Sequence, residues 1–236
     1  MESVAPFTIV ANLQQTNIMT TAPMGYGGAS TSLSQILGRT ASYLAQPTIS
    51  LFTFLHHLGE MQDWSDKTPD ALQRANLGQP GQSRVIYFIN LRWFDAVMVA
   101  TRPFLVSLAR FGGTALSLRL RKFFVFCAKV ASIAARESLA LMRLMEGQRL
   151  IKGLTAFDRH FLVQCAGVLA LSSVVELGKR DERLRFRECI EILLRIPGGS
   201  HGYLVREMRG VESKLERFAA LKATKSPYVF YFTLVD

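Results

Sequence analysis

Three cysteines, four histidines and eighteen carboxylates are the residues of this 236-residue chain with the means to make or break bonds. Cys127, Cys165 and Cys189 stand far apart, each inside an apolar run, and no pair has the C-x-x-C spacing of a zinc or thioredoxin-like site. That pattern reads as three buried, reduced thiols. His56 and His57 are neighbours, so on a helix they point in different directions; His57 and Glu60 lie one turn apart, which alone is too few ligands for a metal. The segment MGYGGAS at 24–30 is glycine-rich, but no clear strand precedes it and no lysine follows, so it lacks the phosphate-cradling pattern. H-E-x-x-H and P-loop patterns do not occur. Residue types and spacing therefore point to a helical binding or regulatory module rather than an enzyme.

The most unusual local chemistry is ATRPFLVSLARF at 100–111, an apolar run with Arg102 beside Pro103. Proline has no amide hydrogen and clashes with the preceding turn, so the sequence predicts a buried helix to about Thr101, a break, and a short helix from Pro103 to Phe111 stopped by Gly112-Gly113. At such a break the Arg102 guanidinium has two possible roles. One is donating to the freed carbonyls; the other is facing an effector pocket with Pro103 and Phe104.

Charge is unevenly spread. Residues 1–83 hold three Lys/Arg and five Asp/Glu, and residues 84–236 hold 25 and 13. The densest part, 101–160, has eleven basic and three acidic residues, with Arg119, Arg121 and Lys122 as a candidate basic surface. These charges are dispersed without interleaved aromatics, as expected of solvated helix faces; a nucleic-acid-binding role is the alternative. The mean hydropathy of +0.19 raises the question of a membrane. The most apolar window, 161–175, is shorter than the roughly 20 residues a spanning helix needs, and the longer window 85–111 carries Arg92, Asp95, Arg102 and Arg110. No membrane span is expected, and a membrane-associated helical protein is the weaker alternative. The first twenty residues lack a secretory pattern, so a nucleocytoplasmic protein is expected.

The elements that hold these residues follow from apolar periodicity. Residues 1–30 read as a flexible lead-in, and residues 31–236 as a helical domain with an internal loop at 59–83. A helix begins at Ser32 with Leu33, Ile36, Leu37, Ala41 and Leu44 on one face and stops at Pro47, and a second apolar run covers Ile49 to Leu58. Residues 84–101 are apolar nearly all round, as in a central buried helix; β-branched and aromatic content at 85–91 also suits a strand, but the run is too long for one. Further helices are expected at 117–147, 155–178, 179–196 and 201–222, and the aromatic tail 227–236 reads as a strand or a docking segment. In the helix at 117–147, Leu144 is expected on the buried face with Cys127, Val130 and Met145. The expected fold is all-α, a multi-helix bundle of roughly eight helices with a central buried helix broken near Pro103.

RVIYFINLRWFDAVMVATRPFL (84–105), CAKVASIAARESLALMRLMEGQRL (127–150), FDRHFLVQCAGVLALSSVVE (157–176), RECIEILLRIPGG (187–199) and GYLVREMRGVESKLERF (202–218) occur in the order of matching helices in a known family. Together with LSQILGRTASYLAQ (33–46), they resemble the regulatory domain of fungal zinc-cluster transcription factors, the fungal-specific transcription factor domain or middle homology region. The resemblance covers about residues 31–222, and Arg102, Pro103, Phe104 and Leu105 occupy the family's R-P-hydrophobic segment. It implies a nuclear regulator of transcription. The implied partners are transcription-machinery or regulatory proteins and a small-molecule effector, with DNA contacted only indirectly or non-specifically. The family's DNA reader is a six-cysteine cluster holding two zinc ions. Three cysteines without C-x-x-C spacing do not supply it, so the resemblance implies a regulatory domain without its zinc-cluster reader and with no cofactor in this chain. The longer N-terminal part of the family's helical domain has no counterpart either, which implies an incomplete bundle whose exposed apolar surface invites a partner.

Overall fold

A computed structural model describes residues 26–46, 48–69, 72, 77–78, 83–111, 117–151, 156–175, 179–195, 202, 205–206, 208–210, 213 and 233–235. Six helices are bounded there: α1 (Tyr26–Leu44), α2 (Leu51–Asp66), α3 (Arg84–Phe111), α4 (Leu118–Gly147), α5 (Ala156–Val174) and α6 (Lys179–Arg195). Further helical residues at 202, 205–206, 208–210 and 213 bring the count to about seven rather than eight. Among the described residues, strand is confined to β1 (Thr48–Ser50) and β2 (Thr233–Val235), which pair in parallel with Ile49 opposite Leu234. The fold is all-α. The expected lead-in up to residue 25, and most of the expected helix at 201–222, lie outside the described residues.

The chain divides into two compact units, residues 1–96 with 231–236, and residues 97–230. In the first, α1 starts at Tyr26 rather than Ser32, so Gly27 and Gly28 of the glycine-rich segment are helical. Glycine is a poor helix former. The start is held by tertiary contact: Ala29 is fully buried, and the buried Trp64 donates its indole N–H to the Ala29 carbonyl (3.1 Å) and to Ser32 Oγ (2.9 Å). Helix α2 likewise runs eight residues beyond its expected end at Leu58, so the connection starts after Asp66 and not at 59. Its polar composition hid a buried stripe. Phe54, Met61 and Trp64 fall on one face, and that burial carries the intervening residues Gly59, Glu60, Gln62 and Asp63 along in the helix. Ser50 caps the helix by accepting from the Thr53 amide.

Helix α3 corrects the central expectation. It is not broken at Pro103 but continues from Arg84 to Phe111 with the proline inside. An interior proline costs about 3 kcal/mol through one lost hydrogen bond and one clash. Burial on both sides of the position offsets this, because Met98, Ala100, Thr101, Phe104, Leu105 and Leu108 are all in the core. Two hydroxyls reinforce the turns around it: Thr101 Oγ1 donates to the Val97 carbonyl (2.7 Å) and Ser107 Oγ to the Pro103 carbonyl (2.9 Å).

In the second unit, α4, α5 and α6 pack together, with α5 in close contact with both neighbours. Helix α4 presents small residues, Cys127, Ala128, Ala131, Ser132, Ala134, Ala135 and Ser138, which let neighbouring helices approach. Ser117 caps its start by accepting from the Leu120 amide. Its end is a left-handed turn at Arg149 (φ 57°), where Leu150 N–H reaches back to the Met145 carbonyl (2.8 Å). That position usually belongs to glycine. Leu144, expected on the buried face, is 41% exposed.

Candidate functional site

Arg102 is exposed and its Nη1 donates to Gln164 Oε1 of α5 at 3.0 Å, while its Nη2 lies over Gly167. The guanidinium thus ties α3 to α5 instead of serving the carbonyls of a break. Pro103 is half-buried, and Phe104 is buried edge-on against Phe123 and Phe124, with ring centroids 5.2 and 5.3 Å away. These three residues are brought together, but Phe104 goes into the core and Arg102 to the surface, so they do not converge on one cavity.

Arg119, Arg121 and Lys122 are all exposed on the first turns of α4. No acidic residue sits in that turn. Cations there oppose the helix macrodipole, so the end of α4 carries a concentrated positive field.

A groove of about 620 Å³, open to solvent, runs between α1 and α2 and was not legible in the sequence. Gln35, Gly38, Arg39, Ser42, Tyr43 and Gln46 come from α1 and its end, and His57 from α2. The helical repeat puts Gln35, Arg39, Ser42 and Gln46 on one side of α1, because Leu33, Ile36 and Thr40 are committed to the core. Across the helices Arg39 Nη2 donates to Glu60 Oε1 (2.8 Å), and the other carboxylate oxygen meets His57 Nδ1 (3.1 Å). Burial raises the Glu60 pKa, but the bonds from His57 and Arg39 outweigh it and hold the carboxyl below its ordinary value. Tyr43 stacks obliquely on His57, centroids 5.2 Å apart, and anchors its hydroxyl on the Ser50 carbonyl (2.7 Å). The sequence contained the His57–Glu60 spacing, while Arg39, twenty-one residues from Glu60, gave no signal. The groove is thus lined by the Gln35 and Gln46 amides and the Ser42 hydroxyl beside the internally bonded Arg39–Glu60–His57 cluster, with apolar surface between them.

A second polar cluster lies inside the other unit. Glu182 of α6 is fully buried, and its Oε1 accepts from Ser132 Oγ (2.9 Å), Arg136 Nε (2.7 Å) and Arg136 Nη2 of α4. Its Oε2 has no hydrogen-bond partner among the described residues. Two exposed ion pairs, Arg143–Glu188 and Arg195–Glu146, clasp the same helices farther along. The Arg195 hydrogen bond holds Glu146 below its ordinary pKa.

The three cysteines are buried and none is in a disulfide. Burial pushes the Cys127 and Cys189 thiols far up, and the nearby Cys165 raises Cys189 further. Among the described residues no group of three or more His, Cys, Asp or Glu is placed to hold a metal ion. Nor is any helix there long and apolar enough to cross a membrane. No family model, curated protein or solved structure matches the chain.

Proposed function

We propose that this chain is an effector- or partner-responsive regulatory domain of a fungal transcription factor, acting in the nucleus and controlling transcription without a zinc-cluster DNA reader of its own. The observation that carries the reading is the ordered series of stretches, 33–46, 84–105, 127–150, 157–176 and 187–199, that resemble the family. In the structure their starts fall on α1, α3, α4, α5 and α6 in that order. The role is one of binding rather than catalysis, needs no cofactor in this chain, and works through regulatory proteins or a small polar effector. The α1–α2 groove is the better place for such an effector than Arg102, because it is a concave site lined by Gln35, Ser42 and Gln46, whereas Arg102 lies on an exposed surface against α5.

The test is to tether the chain to an unrelated DNA-binding domain in yeast and read a reporter. A regulatory domain changes reporter output from that of the DNA-binding domain alone, and R39A, which empties one side of the groove, alters that change. Output equal to the DNA-binding domain alone contradicts the reading.

The exposed Arg119, Arg121 and Lys122 favour a second reading, a basic helical nucleic-acid-binding protein. It predicts binding to duplex DNA that weakens steeply with salt, because each phosphate contact releases a counterion. Removing all three charges should then reduce the salt slope by about 2 to 3 units.

A further inference from the structure

The outer face of α6 carries a pattern that the functional reading does not use. Leu184 and Leu194 are 56% and 54% exposed, and Arg187 and Glu191 between them are exposed as well. Steps of three, four and three residues set all four on one stripe of the helix. The opposite side of α6 is committed to the core through Glu182, Phe186, Cys189, Ile192 and Leu193.

The stripe is complementary to itself when read backwards. Leu184 lies five residues before position 189 and Leu194 five after it; Arg187 lies two before and Glu191 two after. A second α6 laid antiparallel, with a two-fold axis passing level with position 189, sets Leu184 over the second copy's Leu194. It also sets Arg187 over the second copy's Glu191, and the symmetry repeats both contacts. This is the a-to-d layering of an antiparallel helix pair. A parallel arrangement instead stacks Arg187 on Arg187 and Glu191 on Glu191. The same antiparallel axis brings Arg183 towards the second copy's Arg195, but Arg195 is already bound to Glu146 (2.7 and 3.0 Å), which lowers that repulsion. From this charge and shape complementarity we infer that the outer stripe of α6 is a self-association surface, and that its occupant is α6 of a second copy of this chain.

A helix of 17 residues is about 25 Å long, so one helix pair covers less than the roughly 1,600 Å² of a standard interface. The dimer is therefore weak and depends on concentration. Sedimentation of the full chain between about 1 and 200 μM should show the average mass rising from 26.4 kDa towards twice that value. R187E and E191R each set like charges across the axis twice, and each should weaken association by about tenfold or more. The double variant R187E/E191R restores opposite charges and should return association to near the original strength. L184D and L194D should each leave the chain monomeric, with far-UV circular dichroism unchanged because both sites face solvent. A chain that stays monomeric throughout the range overturns the inference. So does a dimer that ignores these substitutions, or a double variant as weak as the single ones.

Discussion

Replacing Glu182 by alanine withdraws the one acceptor that serves three donors between α4 and α6. Ser132 is 3% exposed, so its hydroxyl is left buried and unmade, at a cost of about 1 to 3 kcal/mol. The Arg136 side chain is 36% exposed and can turn to water, so the roughly 3 to 5 kcal/mol of a fully buried broken pair is not reached. Removing a carboxylate that is itself desolvated gives some of the cost back. The expected net loss is about 2 to 3 kcal/mol. E182Q keeps the Oε1 acceptor but places an amide N–H₂ where Oε2 has no partner, and should cost about 1 to 2 kcal/mol. The exposed control D181N should stay within about 0.5 kcal/mol. Urea unfolding followed by circular dichroism reads these differences. With a slope of about 2 to 3 kcal/mol/M for a chain of this size, E182A should lower the midpoint by about 1 M. An E182A midpoint within about 0.2 M of the parent would refute the claim that this buried carboxylate joins the two helices.

Other substitutions probe separate parts of the account. R149G relieves the left-handed turn after α4 and should raise stability by about 1 kcal/mol, read as a higher thermal midpoint. P103A restores an amide hydrogen inside α3; after allowing for the unfolded-state entropy that proline removes, it should stabilise by about 1 to 2 kcal/mol, and a loss would show that the proline shape is needed. Glu60 and Glu146 are both held below the ordinary carboxyl value of 4.5, so their contribution is complete above that pH and is lost as pH falls through their lower folded values. Thermal midpoints should therefore hold from neutral pH to about 5 and fall below it, with E146Q showing a shallower acid decline. The three buried thiols should react with a thiol reagent only slowly in the native chain and completely once it is unfolded.

Apolar patterning located α4 and α6 closely, by a stripe beside a charged face, and α5 by its long apolar run. It failed where tertiary packing overrides local propensity. Gly27 and Gly28 are helical because Trp64 grips the next turn, and α3 passes Pro103 because both flanks are deeply buried. Glu182 has the same origin: it reads as one charge in a charged segment, yet it is in register with Phe186, Cys189 and Leu193, a stripe that marks it as inward-facing. The candidate groove was the least legible feature. It depends on Arg39 meeting Glu60 across two helices, and a spacing of twenty-one residues has no periodic signature.

The helical frame is what every site and contact above depends on, and amide hydrogen exchange of the full chain tests it most directly. Protection should fall in blocks over 84–111, 118–147, 156–174 and 179–195, and should be continuous across 98–106 apart from the missing amide of Pro103. Rapid exchange through 98–106, or protected blocks that do not follow these helices, would contradict it.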